Sequence, residues 1–357
     1  MASPSDHAVE TAKAIKTRIC IISDTHCSFP QLPPADLLVH CGDLTRSGRL
    51  RQLQPQYEHI AAAPAELKLV IPGNHDLTLD RPYYARKGDY MHKIRYVDDK
   101  ADGEAELEDL DACYDLWTSE FARAKGVRYL EEGMSTHELS NGARFTVYAS
   151  PYQPDFGDKA FAYFRHQDRY NPPPASPSAE DDGGKGTVYV ADASPVPDYG
   201  EVDLMITHGP PLGILDRNKH QMDVGCKHLL RAVQRARPLL HCFGHIHEGW
   251  GSGRMSWPPR NSSGQGQGYD EALGTEKNES KEVEAGFRLE LSRVDIDQGE
   301  LFKVVDLTSD GGNPLRQGEA TQMVNASIMG IMHKPEQVPF IVDLDLPVRT
   351  ESNSRGD

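Results

Sequence analysis

The sequence predicts an α/β protein in which two packed mixed β-sheets are flanked by helices. Strand and helix patterns alternate over the first half of the 357-residue chain. Hairpin patterns dominate the second half, which is typical of two sheets packed on each other. In addition, five short apolar runs each end in a polar segment. Runs of this kind are typical of buried parallel strands, so the five polar segments are expected to lie at one edge of a single sheet. α/β proteins bind ligands at the carboxyl ends of such strands.

Periodicity and turn residues place the remaining elements. The five apolar runs, taken as strands, are residues 19–22, 37–39, 69–71, 204–206 and 239–243. A polar helix is predicted at 50–62 and a further helix at 225–237, which Pro238 ends. A helix is also predicted at 108–125, where Leu110, Cys113, Tyr114, Trp117 and Phe121 fall at helical spacing on one face that is expected to pack in the core. The dipeptide Asn141-Gly142 predicts a hairpin within 134–150. Residues 250–256 and 285–292 are expected to pair, and the late runs 301–307, 322–326 and 339–342 are expected to close the second sheet.

Domain organisation follows from where apolar residues are scarce. We predict a flexible N-terminus at 1–16, one domain at 17–347 and a flexible polar tail at 348–357. Two segments within the domain, near 171–187 and 257–284, are rich in Pro, Ser, Gly or Glu. They lack the apolar content that would offset the entropy of ordering them, so both are expected to be flexible insertions.

Charge and composition limit the function classes. A formal net charge of −16 disfavours a nucleic-acid polymer as partner, because such binding needs Lys and Arg to neutralise phosphates. It does not exclude a small phosphorylated substrate, since bound cations reverse the local charge. No apolar run is long enough to cross a membrane, and no signal-peptide stretch begins the chain. Six cysteines scattered without paired spacing fit a reducing compartment, so a cytoplasmic location is expected. The sequence leaves the oligomeric state open.

The polar segments that follow the five runs carry the candidate site. Their side chains offer carboxylate, amide and imidazole donors, and seven of them are expected to hold two divalent metal ions. Mixed nitrogen and oxygen ligands favour Mn, Fe or Zn over Ca or Mg. Side chains two apart on a strand share a face. This would place Asp24 and His26 on one common face, and His245 and His247 on another. The seven candidate ligands are Asp24, His26, Asp43, Asn74, His208, His245 and His247.

The five polar segments, in their order along the chain, resemble the sequence motifs of the calcineurin-like metallophosphoesterase superfamily. The motifs are D-x-H at 24–26, G-D at 42–43, G-N-H-D at 73–76, H-G at 208–209 and G-H-x-H at 244–247. Residues 150–154, 207–213 and 244–249 are similar to the metallophosphoesterase-domain-containing (MPPED-type) branch. The resemblance implies a four-layer α/β/β/α sandwich. It also implies phosphodiesterase activity toward nucleotides or other small diesters.

The resemblance further implies a role for each residue. Asp24, His26 and His247 would bind the first metal, and Asn74, His208 and His245 the second. Asp43 would bridge both metals. A hydroxide between the metals would then attack phosphorus, with His75 donating to the leaving oxygen and Asp76 orienting His75.

Several alternatives stay open at this point. The same metal site would also serve a phosphomonoesterase or a protein phosphatase, and a catalytically weak scaffold could keep the fold. Arg46 and Arg217 are candidates either for phosphate contact or for ordinary surface ion pairs. His40 and His241 lie within predicted strands beside the motifs and are expected to pack there or to support the ligands.

Overall fold

The computed structural model describes residues 14–97, 107–174, 186–259, 282–283, 287–292, 296–297, 299–330, 332 and 334–348. Its strands, in chain order, are β1 Ala14–Ile22, β2 Leu37–Cys41, β3 Leu67–Ile71, β4 Val127–Tyr129, β5 Gly133–Glu138, β6 Arg144–Ser150, β7 Gln153–Pro154, β8 Ala162–Tyr163, β9 Gln167–Asp168, β10 Val188–Tyr189, β11 Leu204–Thr207, β12 Leu240–Phe243, β13 Gly251–Ser256, β14 Glu282–Val283, β15 Phe287–Ser292, β16 Lys303–Asp306, β17 Ala320–Asn325 and β18 Phe340–Pro347. The α-helices are α1 Leu50–Ala61, α2 Arg81–Tyr90, α3 Leu110–Thr118, α4 Glu120–Ala124 and α5 Lys227–Ala236. Short helical turns lie at Leu77–Leu79, Met91–Arg95 and His247–Gly249.

Two large mixed sheets form the centre of the fold. The first has six strands in the order β16-β18-β1-β2-β3-β4, and the second has eight in the order β14-β15-β13-β17-β12-β11-β6-β5. Apolar side chains from the facing sides of both sheets form one shared core, which includes Ile19 and Val39 from the first sheet and Val147 and Ile206 from the second. The predicted fold class of two packed mixed sheets is therefore confirmed.

Helices cover the outer face of each sheet. On α1, the residues Leu53, Tyr57 and Ile60 lie at helical spacing and pack with Leu38 of the first sheet. On the opposite side of the molecule, α5 packs Val233 and its apolar neighbours against the second sheet. The result is the four-layer α/β/β/α arrangement that the resemblance implied.

One predicted helix is in fact two. The segment 108–125 divides into α3 and α4 because Ser119 is extended, with φ −60° and ψ 160°. The Ser119 side chain accepts a hydrogen bond from the backbone N–H of Ala122 and so caps a new helix. Phe121, which was expected on the buried face, is 65% exposed as a result.

The strands that close the second sheet were predicted incorrectly. Of the three late runs, only β17 belongs to the second sheet, whereas β16 and β18 belong to the first. β18 pairs antiparallel with β1 over its whole length, from Ala14↔Pro347 to Ile21↔Phe340. Apolar patterning identifies a strand but does not identify its partner, so the sequence could not assign the sheet. This pairing also starts β1 at Ala14, before the predicted domain boundary at 17.

Other predictions fall in or beside the undescribed ranges. The predicted pairing of 250–256 with 285–292 is confirmed by β13 and β15, where Ser256 lies opposite Arg288. Most of the two predicted insertions, the tail beyond 348 and residues 1–13 lie outside the described residues. Among the helices that the structure describes, none combines the length and the apolar character that a bilayer span requires.

Candidate metal centre

Three strands of the first sheet and two of the second deliver the candidate residues. β1, β2 and β3 are parallel neighbours, and so are β11 and β12. The expectation that all five end at one edge of a single sheet is therefore corrected, because the site lies between two sheets. Hydrogen bonds join the two sides: the backbone N–H of His245 donates to Asp24 Oδ2 at 2.9 Å, and His208 Nδ1 lies 2.9 Å from the carbonyl oxygen of Cys41.

The side chains of the candidate ligands lie on turns beyond the strands. Asp24, His26, Asp43 and His245 all have positive φ values, between 42° and 66°. Non-glycine residues adopt this left-handed conformation rarely, and such positions cluster at functional sites. Strand alternation therefore does not explain why these side chains converge. The left-handed backbone conformation of the turns directs these side chains toward one another instead.

One half of the site contains Asp24, His26 and His247. Their potential ligand atoms lie within 4.8 Å of one another. His247 Nε2 is 3.4 Å from Asp24 Oδ1, and His26 Nε2 is 3.4 Å from Asp43 Oδ2. All three residues that the resemblance assigned to a first metal are thus brought together.

The other half contains Asn74, His208 and His245. His208 Nε2 lies 2.9 Å from Asn74 Oδ1 and 3.5 Å from Asp43 Oδ1. The rings of His208 and His245 are in edge contact, with centroids 5.0 Å apart. Asp43 therefore turns one carboxylate oxygen toward each half of the site.

Glycines allow the close approach that this site needs. A Cβ on Gly244 would overlap Asp24 Oδ2 and the Ser23 hydroxyl. A Cβ on Gly42, whose φ is +98°, would lie 2.6 Å from His208 Nδ1. The glycine of each of these motifs is therefore a steric requirement for placing the neighbouring ligands.

Burial and charge set the protonation of the site. Burial alone would raise the pKa of Asp24, but the hydrogen bond and charge of His247 hold it below the ordinary value. Burial, followed by the charges of Asp24 and Asp76, raises the pKa of Asp43. Burial lowers the pKa of both His208 and His245, which favours the neutral imidazole that binds metals.

The arrangement of acceptors fits bound cations. The carbonyl oxygen of Cys41 can only accept, so the proton of neutral His208 lies on Nδ1 and its Nε2 presents a lone pair. That lone pair faces Asn74 Oδ1, a second acceptor. His26 repeats the pattern, with Nδ1 3.1 Å from the carbonyl oxygen of Thr45 and Nε2 toward Asp43. Backbone carbonyls that fix the ring of a ligating histidine in this way are typical of metal sites.

His75 lies beside these ligands, but both of its ring nitrogens have other partners. Nδ1 is 2.7 Å from the carbonyl oxygen of Arg46, and Nε2 contacts Lys159 Nζ. The His75 backbone N–H donates to Asp43 Oδ1 at 2.7 Å. Because His26, Asp43 and His75 also lie close enough to share an ion, proximity alone does not separate His75 from the ligands. Its occupied nitrogens favour a role outside the ligand set.

Asp76 has a different task from the one expected. Its carboxylate accepts hydrogen bonds from the backbone N–H groups of Leu44, Thr45 and Gly73 and from the Thr45 hydroxyl, at 2.7 to 3.1 Å. The ring of His75 is oriented by the Arg46 carbonyl instead. Asp76 therefore ties the turn after β2 to the turn after β3, which positions Asp43 and His75 together.

Lys159 is the residue that sequence reasoning missed. Its ammonium is partly buried beside His75, and burial lowers its pKa to about 8 while Asp43 acts in the opposite direction. The residue follows the 150–154 motif but lies in a short polar stretch without periodicity. Its contact partner is 84 positions away. No local signal in the sequence distinguishes it from an ordinary surface lysine.

The other four residues singled out by sequence make ion pairs or hydrogen bonds within the protein. Arg217 pairs with Asp223 at 3.1 Å, as a surface ion pair. Arg46 is exposed, and its Nε lies 3.4 Å from the carbonyl oxygen of His26. His40 and His241 are buried and contact the hydroxyls of Thr25 and Thr207, at 3.0 and 2.9 Å. Both histidines thus support the turns that carry the ligands.

Comparison with known proteins identifies the class to which this fold and site belong. The sequence profile of the calcineurin-like phosphoesterase family matches residues 17–249. The chain therefore belongs to that family. Within it, the relatives place the chain in the metallophosphoesterase-domain-containing branch.

Three relatives illustrate the match. Metallophosphoesterase domain-containing protein 1 of Homo sapiens is 34% identical over 239 residues, which cover 66% of this chain and 62% of that protein. A UPF0046 protein of Caenorhabditis elegans is 28% identical over 66% of this chain and 52% of its own length. A probable rhamnogalacturonate lyase C of Emericella nidulans is 32% identical over 67% of this chain, but the match spans only 18% of that protein. The chain thus spans less than two thirds of the length of these relatives.

Proposed function

We propose that this protein is a two-metal phosphoesterase that hydrolyses phosphodiesters of nucleotides or of other small molecules. Membership in the calcineurin-like phosphoesterase family supports the reaction class. The observation that carries the proposal is the placement of Asp43, whose two carboxylate oxygens face His26 on one side and His208 on the other. A short carboxylate placed in this way is suited to bridging two cations.

Each residue then has a defined task. Asp24, His26 and His247 would hold one divalent ion, and Asn74, His208 and His245 the other, with Asp43 shared. Two such ions lower the pKa of a water and neutralise charge on the phosphoryl group when bound. No Ser or Cys nucleophile is needed for this chemistry.

Metal reconstitution tests the proposal. Protein stripped with a chelator would be reloaded with Mn²⁺, Fe²⁺ or Zn²⁺ in turn, and its bound metal would be quantified by mass spectrometry. Hydrolysis would be followed on bis-p-nitrophenyl phosphate, a diester, and p-nitrophenyl phosphate, a monoester. The stripped protein is the control.

We expect two bound ions per chain and faster turnover of the diester. Faster turnover of the monoester would instead support a phosphomonoesterase or protein phosphatase. Failure to bind metal, together with inertness toward both esters, would support the scaffold alternative and overturn the proposal.

A further inference from the structure

The Lys159 ammonium is an unexplained positive charge next to the candidate metal centre. Its Nζ contacts His75 Nε2 and lies within electrostatic reach of Asp43 and Arg95. Among the residues that the structure describes, no carboxylate lies within ion-pairing distance of it. A partly buried ammonium near two metal-binding clusters is unfavourable unless an anion joins it. An anion is therefore expected to bind beside the Lys159 ammonium.

Hydrogen-bond directions at His75 show which group can donate there. The Arg46 carbonyl can only accept, so His75 Nδ1 carries the proton of the neutral ring. His75 Nε2 then accepts from Lys159, since an ammonium has donors and no acceptor. In this arrangement the ring has no proton left to offer a substrate. The ammonium, by contrast, has three N–H donors, of which His75 uses one.

The backbone around Lys159 is fixed in place from several sides. The carbonyl oxygen of Asp158 accepts from the Tyr83 hydroxyl at 2.7 Å, and its carboxylate pairs with Lys87 at 2.8 Å. The Phe161 N–H donates to Asp80 Oδ2 at 2.7 Å. The Gly157 carbonyl accepts from Arg95 at 2.6 Å. These contacts tie the segment 157–161 to α2 and to the turn after it, so the position of Lys159 is built into the fold.

We propose that the Lys159 ammonium, positioned by His75, donates a hydrogen bond to the leaving-group oxygen of the phosphate ester. This inference rests on the proposed function and assigns to Lys159 the donor role that the resemblance gave to His75. Negative charge develops on the leaving oxygen as its bond to phosphorus breaks, and a preformed cationic donor stabilises that charge without reorganising. His75 acts here as a positioning residue.

Leaving-group dependence tests this role. Lys159→Met keeps the length of the side chain and removes its donors, and Lys159→Arg keeps charge and donors. Lys125→Met is the matched control, because it removes the same charge from an exposed lysine that directly follows α4. Rates would be compared on bis-p-nitrophenyl phosphate and on diphenyl phosphate, whose phenolate is the poorer leaving group. Metal content would be measured for every variant.

We expect Lys159→Met to keep its metals and to lose about 10²-fold or more on the phenyl ester, but about 10-fold or less on the nitrophenyl ester. Lys159→Arg should retain most of the activity, and Lys125→Met all of it. A structural defect would lower both rates equally. Equal loss on the two esters, or loss of metal, would therefore overturn the proposal while leaving the proposed function standing.

If the wild-type protein hydrolyses neither ester, a second measurement tests whether Lys159 contacts a bound anion. Binding of inorganic phosphate to the Mn²⁺-loaded protein would be measured by calorimetry. Phosphate presents the oxygens that Lys159 would contact, so Lys159→Met should bind it about 10-fold more weakly than wild type or Lys125→Met. Equal affinity in all three proteins would show that Lys159 does not contact the anion.

Discussion

At the scale of single residues, the candidate ligand Asp43 and the positioning residue His75 should respond differently to substitution. Asp43→Ala removes the carboxylate that faces both halves of the site, so we expect it to lose metal as well as rate. His75→Ala should keep its metals, because the His75 ring nitrogens contact Arg46 and Lys159, and should lower turnover of the phenyl ester by about 10²-fold at most, since it displaces the Lys159 donor without removing it. Metal analysis and kinetics on both variants check this prediction. An empty metal site in His75→Ala would make His75 a ligand.

The residues of this site differ in how far sequence could predict them. The seven candidate ligands could be proposed from sequence because each follows an apolar run at which a buried strand ends. The direct partner of His75 was not found, because Lys159 approaches it from a segment 84 positions away. The task of Asp76 was also misjudged, since its partners are backbone N–H groups of another turn. Motifs identify residues that act through their own chemistry, whereas contacts between distant turns need the fold.

At the scale of elements, strongly periodic segments were predicted and weakly periodic ones were not. α1 and α5 have continuous buried stripes and were found close to their true bounds. α2 was missed because it buries only Tyr83, Tyr84 and Gly88, too few to give a helical pattern. Yet α2 supports the segment that carries Lys159. Elements that position a site can therefore be those with the weakest sequence signal.

The pairing of β1 with β18 provides a stability prediction at the same scale. Arg18 and Asp343 lie directly opposite each other, joined by two hydrogen bonds of 2.8 Å. The hydrogen bond from Arg18 is the main cause that lowers the pKa of Asp343. Because the Arg18 side chain is 49% exposed, solvent screening limits the effect, and Asp343→Asn should cost about 1–2 kcal/mol at pH 7.

The sign of the pH dependence follows from that lowered pKa. A carboxyl group with a lower pKa in the folded state stabilises the fold above its unfolded pKa of about 3.9. That contribution is lost as pH falls through the folded value. The difference in unfolding free energy between wild type and Asp343→Asn should therefore be constant from pH 7 to pH 5 and shrink toward pH 3. Urea unfolding at each pH measures this difference. Asp89→Asn, which removes the exposed ion pair between Asp89 and Lys93, is the control and should change the free energy of unfolding by less than about 0.5 kcal/mol. A difference that is as large at pH 3 as at pH 7 would contradict the ion-pair explanation.

At the scale of the whole molecule, the two-sheet sandwich rests on long-range pairings that join the ends of the sequence. β18 lies between β16 and β1, so the first sheet contains strands from both ends of the described chain. Alternation along the sequence predicted two sheets, and polar strand ends predicted candidate site residues, but the sequence did not predict that the site lies between the two sheets. It could not predict which sheet receives a late strand, because side-chain periodicity is the same in either one.

The long connection between β13 and β15 tests how much of the chain the sandwich needs. Ser256 and Arg288 are already paired, so the end of β13 and the start of β15 lie side by side in the second sheet. We expect that replacing 259–286 by a four-residue turn containing Asn-Gly keeps the fold, because it removes only β14 from the described sheets. The free energy of unfolding should change by no more than about 1 kcal/mol, since loop-closure entropy depends only weakly on length. Metal content and ester hydrolysis should match wild type, because every candidate ligand lies at or before residue 247. Loss of cooperative unfolding would show that 259–286 is part of the folded core, and normal unfolding with lost activity would place this segment at the site.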